Sequence, residues 1–298
     1  MQLVTFERDG ANRVGALTTH QGRAQVVDLH RADPRLPTEM VQILEGGQAA
    51  LARACQVLAT ADADTRLDLA TVALKAPILR PGKIICIGLN YRDHAAESNL
   101  AIPDTPTVFS KYANSVIGPD EPIVIPRVSA QVDYEGELAC VIGRRGRHIP
   151  ESEALDYVAG YMPFNDVSAR DFQVRTSQWM IGKTFDTFAP MGPALVTADE
   201  IADPHVLDLR VTVSGELLQA SNTRNLIFSI PSLIAYLSQV MTLEPGDVLA
   251  TGTPAGVGFA RKPPRFLRPG DEVRIEIEGL GVLTNPVVAE DLKGFPNL

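Results

Sequence analysis

Apolar positions along the chain fall into two textures. Within the first thirty residues they form three short runs, at 3–6, 14–17 and 26–29, separated by polar and glycine-bearing stretches at 10–12 and 21–22, a pattern that predicts a small β meander. The period then lengthens. Thr38 is placed to cap a helix carrying Met40, Val41, Ile43 and Leu44 on its apolar side, Gly46 and Gly47 end it, and residues 49–58 continue as a second helix. Residues 61–81 mix aspartates, threonines and two prolines with scattered aliphatics, the texture of a connection draped over the surface. Residues 1–76 therefore read as a small N-terminal α/β domain.

From residue 83 the chain is strand-rich and punctuated by Gly and Pro, with segments at 83–88, 133–143, 206–213, 248–251 and 273–278. The last alternates Val273, Ile275 and Ile277 with Arg274, Glu276 and Glu278, as a strand with one wet face should. Regular βαβ alternation is missing, which disfavours a doubly wound sheet. The expected fold is β-rich α+β, with mixed or antiparallel sheets in a second domain over 77–298.

Composition narrows the function classes. The 27 Lys+Arg against 36 Asp+Glu give a formal charge of -9, a field that repels nucleic acid and anionic lipid. Residues 225–243 carry no charge but are interrupted by Pro231, three serines, a glutamine and an asparagine, so a helix entered through Pro231 is expected in place of a membrane span. Cys55, Cys86 and Cys140 are odd in number and form no CxxC pair, which argues against a disulfide framework or zinc ribbon. Residues 1–10 lack the basic and apolar regions of a signal peptide, and a cytoplasmic location is the expectation.

The chemistry concentrates after residue 83. Glu135 and Glu137 sit two apart on a strand and share a face, where two carboxylates repel unless something cationic lies between them. A hard divalent ion answers that need, and a solvated strand face is the bland alternative. Asp166 stands where a strand hands over to a helix, able to point into a cleft or simply to cap. Arg170 and Gln173 follow, three apart on one face of the turn. His94 and Glu97, also three apart, form a dyad suited to activating water if their segment is helical, with an exposed ion pair as the alternative. Lys183 lies among apolar neighbours and needs an anionic partner there. Residues 251–258 follow a strand and offer backbone N–H groups and the Thr253 hydroxyl to an anion, without the ending of a P-loop. GxSxG, HExxH and dinucleotide-binding fingerprints are absent from the sequence.

Taken together, these segments resemble the fumarylacetoacetate hydrolase superfamily: Asn90-Tyr91-Arg92-Asp93-His94, Glu135-Gly136-Glu137-Leu138, Gly160-Tyr161 through Asp171, Lys183-Thr184-Phe185-Asp186, and Thr251-Gly252-Thr253-Pro254 with Gly256-Val257-Gly258, in the family's order across about 80 to 290. The resemblance implies a mixed β-roll catalytic domain, Mg²⁺ or Mn²⁺ as cofactor, and a homodimer. It implies Glu135, Glu137 and Asp166 as metal ligands, His94 and Glu97 as a water-activating dyad on a mobile lid, Lys183 as a catalytic cation, and Arg170, Gln173, Thr253 and Lys111 around the substrate. The founding member also uses an aspartate shortly before its histidine as a ligand, whereas this chain has Asn90 and Asp93 at a different spacing. That groups it with shorter relatives that bind metal through three carboxylates, and away from fumarylacetoacetate as substrate. The implied activity is hydrolysis of a C–C bond in an acylpyruvate-like 2,4-dioxo acid, releasing pyruvate or an analogue. Oxaloacetate decarboxylation or tautomerisation, 2-hydroxyhepta-2,4-diene-1,7-dioate isomerisation, and metal-dependent binding of a 2-oxo acid without turnover are the alternatives.

Overall fold

Two sheets pack across a shared apolar core in the computed structural model, which describes residues 1–291. The larger sheet has eleven strands and runs from Arg66–Asp68 through Arg23–Asp28, Ala11–His20, Gln2–Arg8, Leu195–Thr197, Val158–Asn165, Gly136–Ile142, Val248–Ala250 and Ile84–Gly88 to Thr107–Lys111, with Ala73–Lys75 pairing on Gln2–Arg8. Most pairings are antiparallel, and Val248–Ala250 lies parallel to Ile84–Gly88. The second sheet orders Glu216–Asn222, Asp208–Val213, Glu272–Ile277, Gly281–Ala289 and Ile123–Ile125. The architecture is β-rich α+β with mixed sheets.

The central strand Gly136–Ile142 reads as an apolar run because both of its faces are covered. Leu138, Cys140 and Ile142 face the second sheet, in a cluster with Leu209, Val211 and Ile275. Ala139 and Val141 face the other way, against Met40, Ile43 and Leu44 of the N-terminal helix Met40–Glu45. The N-terminal segment thus contributes to the same large sheet and the same core as the strands after residue 83. The Ile230–Val240 helix is capped by Ser229 and carries Pro231 in its first turn, closing the core with Ile230, Leu233, Ile234 and Leu237. It spans eleven residues, and among the described residues no helix is long and apolar enough to cross a membrane.

Three local expectations are corrected. Glu39, without a side-chain capping bond, is the residue that precedes the Met40–Glu45 helix, so Thr38 is one residue too early to cap it. Gly47 does not end a helix: with φ of 56° it turns the chain into the next one, Gly47–Thr60. Residues 61–81 are no bare connection, since Arg66–Asp68 and Ala73–Lys75 pair at sheet edges. Strands of three residues are too short for alternation to show in the sequence.

Candidate active site

Strand periodicity delivers the acids. Glu137 continues the row of Ala139 and Val141 on the face opposite the second sheet, and it pairs across the ladder with Phe164. Asp166 extends the neighbouring row of Met162 and Phe164 one step past the strand end. Glu135 is fixed by its backbone: its N–H donates to Asn165 Oδ1 at 3.0 Å, and its carbonyl accepts from the Asp166 N–H at 2.9 Å. The three buried carboxylates thereby offer ligand atoms within 4.8 Å of one another.

Buried cations crowd this cluster. Lys183 Nζ donates to Glu135 Oε2 at 2.7 Å and to Asp166 Oδ2 at 2.8 Å. Lys111 Nζ reaches Asp166 Oδ1 at 2.5 Å and the Val167 carbonyl at 2.9 Å. Arg170 spans Asp133 and Glu135, with Nη1 at 2.6 Å from Glu135 Oε1 and Nε donating to Asp133 Oδ2 at 2.9 Å. Its Nη2 also lies 2.9 Å from Asp133 Oδ2 but off the donor direction, which leaves that N–H without an acceptor. Burial pushes Glu135 up, yet Arg170 and Lys183 outweigh it and hold the carboxyl at about 2. Burial lowers Lys111 despite Asp166, whereas Asp166 and Glu135 overcome burial at Lys183 and raise it. Glu137 differs from all of these. Its recorded hydrogen bond comes from the Gly252 N–H, at 2.8 Å, and burial with the charges of Asp166 and Glu135 drives its pKa well above the carboxylate range. Four carboxylates (Asp133, Glu135, Glu137, Asp166) face three ion-paired cations (Lys111, Arg170, Lys183), so Glu137 is the acid left without one. A hard divalent ion fits this donor set: all-oxygen, buried and one positive partner short.

The dyad lies on the short helix Arg92–Glu97, where His94 Nδ1 stands 3.4 Å from Glu97 Oε2. Glu97 is held in turn by the Gly256 N–H, 3.0 Å from both carboxylate oxygens. Asp93, in the first turn of that helix, accepts from the His94 N–H and from the Ser221 hydroxyl at 2.5 Å. Asn90 clips the Phe228 N–H and the carbonyls of Phe228 and Thr251. Neither Asn90 nor Asp93 belongs to the carboxylate cluster, which accords with a three-ligand centre. The amides of 251–258 do find anions, but these are the protein's own: Gly252 serves Glu137, Gly256 serves Glu97, and Gly258 serves Asp133 at 2.8 Å. Gly252 adopts φ of 105°, which an L side chain rarely tolerates.

A cavity of about 680 Å³ opens over the cluster and is lined by His94, Glu97, Glu135, Glu137, Arg170, Gln173, Lys183 and Thr253, together with apolar side chains. Lys111 is corrected: its side chain is fully buried behind Asp166, outside the cavity wall, because the row of the Thr107–Lys111 strand carries it beneath the acids. Its Nζ donates to Asp166 and the Val167 carbonyl. In the segment 261–268, Arg265 pairs with Asp271 and Arg261 reaches Leu218 and Glu216, while the preceding Phe259 and Ala260 line the cavity. Sequence reasoning missed Asp133, which binds Arg170 and the amides of Gly258 and Phe259, and the apolar wall of Phe109 and Trp179. Asp133 had a signal as the first acid of the run Asp133-Tyr134-Glu135-Gly136-Glu137; Phe109 and Trp179 had none.

Comparison with known proteins places these observations. Residues 83–288 match the fumarylacetoacetate (FAA) hydrolase C-terminal family. The rat (Rattus norvegicus) mitochondrial oxaloacetate tautomerase Fahd2a is 52% identical over 267 residues, covering 88% of this chain and 84% of the rat protein. A fumarylacetoacetate hydrolase from psychrophilic Exiguobacterium antarcticum superposes with a TM-score of 0.83 at 37% identity, over 97% of this chain and 100% of that one. Maleylpyruvate hydrolase from Sphingobium sp. SYK-6, in complex with manganese(II) and pyruvate, gives 0.79 at 32% identity, over 98% and 100%. The expected cytoplasmic location is corrected: the relative of 52% identity is named as mitochondrial, which points away from the cytoplasm.

Proposed function

The chain belongs to the fumarylacetoacetate hydrolase family, and from that premise we propose that it is a divalent-metal-dependent enzyme that interconverts the keto and enol forms of oxaloacetate. The observation that carries a metal-dependent reaction on an enolisable acid is the uncompensated Glu137 beside Glu135 and Asp166, at the floor of a cavity lined by Lys183 and Arg170. Oxaloacetate is chosen because the rat relative is named for that activity.

Glu135, Glu137 and Asp166 would hold Mg²⁺ or Mn²⁺, which when bound polarises a 2-oxo group and acidifies the neighbouring C3 protons. Lys183 and Arg170 supply positive charge for the substrate's carboxylate, and Gln173, its Oε1 already accepting from Arg170 Nη1, turns its amide N–H toward substrate oxygen. Glu97 accepts the His94 Nδ1–H, which selects the tautomer with its lone pair on Nε2. That nitrogen takes a proton from C3; the released pair forms the C2–C3 double bond as the C2–O π pair moves to oxygen, which takes a proton from water to give the enol, and His94 returns its proton to the hydroxide so formed.

The same dyad favours a second reading, hydrolysis of an acylpyruvate-like 2,4-dioxo acid. His94 would deprotonate a water that adds to the C4 carbonyl; the C3–C4 bond then breaks, its pair moving to C3, which takes up a proton to give pyruvate and a carboxylic acid. Purified protein incubated with oxaloacetate or acetylpyruvate, with Mg²⁺, Mn²⁺ or excess chelator, separates the two: ultraviolet absorbance follows the enol, and NMR follows cleavage products. Metal-dependent enol decay supports the first reading, and pyruvate with acetate supports the second. Enol decay indifferent to chelator would sink the metal-dependent mechanism.

A further inference from the structure

The cavity extends well past the carboxylate cluster, and its extension has a different chemistry. The only lysine and arginine among its lining residues, Lys183 and Arg170, are both tied to Glu135 at the floor. Beyond Lys183 the wall turns apolar: the ammonium sits 4.9 Å from the Phe109 ring centre, and Phe109 meets Trp179 edge to face at 5.6 Å. Trp179 lies directly on the backbone of Gly88, where a Cβ would come within 2.2 Å of the indole. Leu100, Val174 and Phe259 line the mouth with apolar surface left open to solvent. Clefts of about 300–1,000 Å³ typically take drug-sized ligands, so a four-carbon diacid leaves most of this one unfilled.

We infer that the Phe109–Trp179 wall binds the apolar tail of a 2-oxo acid, so that the site takes 2-oxo monocarboxylates with an extended alkyl chain in preference to diacids of equal length. This rests on the proposed reading of the floor as a 2-oxo-acid site. A second carboxylate at the far end would lie against aromatic and aliphatic carbon, with the lining cations Lys183 and Arg170 already engaged by Glu135, and shedding its hydration there is costly. An alkyl chain instead covers surface that is exposed without it.

Trp179 is the chain's only tryptophan, so its fluorescence reports on the wall directly. With the Mg²⁺-loaded protein, straight-chain 2-oxo acids from pyruvate to 2-oxooctanoate are titrated against tryptophan emission and as inhibitors of oxaloacetate turnover, beside 2-oxoadipate and longer diacids. The expected result is a gain of roughly fourfold in affinity per buried methylene, an emission change that saturates with binding, and weaker binding of each diacid than of the monoacid of equal length. Trp179→Ala should flatten the chain-length series, and the wild-type titration stands without it should that variant fail to fold. Affinity independent of chain length, with oxaloacetate turnover intact, overturns the apolar-tail subsite alone. No metal-dependent binding of short or long 2-oxo acids overturns this inference together with the reading beneath it.

Discussion

The floor of the cavity and the helix above it hold their functional groups in opposite ways. On the floor and just beneath it, Glu135, Lys183 and Arg170 with the buried Asp166 and Lys111 are cross-linked by bonds of 2.5–2.8 Å, on or beside strands of the large sheet. Above it, His94 and Glu97 belong to a single short helix, 3.4 Å apart, and the Glu97 carboxylate is pinned by the Gly256 amide. A strand row sets positions to a fraction of an ångström and excludes water, which suits groups whose task is to fix charge. A short helix leaning on a loop holds its groups at the surface of the cavity, where they meet solvent as well as the groups on the floor.

The sharpest way to break this comparison is at the acid the cations miss. Glu137→Gln should lower kcat/KM by roughly 10³-fold, a loss of about 4 kcal/mol in transition-state stabilisation, and weaken Mg²⁺ binding in calorimetric titration. Retention of metal-dependent turnover would mean that Glu137 is only a packing residue. Lys111→Met tests the floor without touching substrate. It strips Asp166 of a buried partner, and removing one member of a buried pair costs about 3–5 kcal/mol, read by urea unfolding, with Mg²⁺ restoring part of the loss.

The helix should respond in rate and not in stability. His94→Ala is expected to slow turnover about 10²-fold while the unfolding midpoint and Mg²⁺ affinity hold. A drop in stability comparable to that of Lys111→Met would erase the distinction. With oxaloacetate and acetylpyruvate compared, the same variant also separates half-sites: enol turnover surviving while cleavage disappears would assign the dyad to water activation alone.

The smallest effect is expected in the loop beyond Phe259, where Asp271 is bound by Arg265 and by the Arg268 amide. Partial burial raises the Asp271 carboxyl, but those hydrogen bonds win and hold it below its usual range. A depressed carboxylate contributes stability that is present above the unfolded-state value, about 3.9, and is lost as pH falls through the folded one. Asp271→Asn should therefore remove part of the acid-side decline in melting temperature and cost about 0.5–1 kcal/mol at neutral pH.

Much of this site was legible before any fold was known. The i, i+2 spacing of Glu135 and Glu137 places both on one strand face, and the i, i+3 spacing of His94 and Glu97 places them on one turn; the folded chain keeps both neighbourhoods. Lys183, read as an ammonium among apolar neighbours in need of an anion, meets two. Lys111 entered only through the resemblance, and only the stacking of rows beside Asp166 shows that its side chain is buried there.

What the sequence alone determined follows from short periods: strands within 83–88, 133–143, 206–213, 248–251 and 273–278, the two glutamates that share a face, a helix entered through Pro231, and the family whose motifs these are. The tertiary structure decided the pairings between residues far apart in the chain. Glu137 receives its amide from Gly252, 115 positions away, and Asp133 from Gly258, 125 away. Trp179 settles on Gly88 because a glycine there leaves room for an indole. Alternation carries local information about which way a side chain points, but the identity of its partner depends on how whole strands and loops stack, and chain entropy leaves that choice to the folded core.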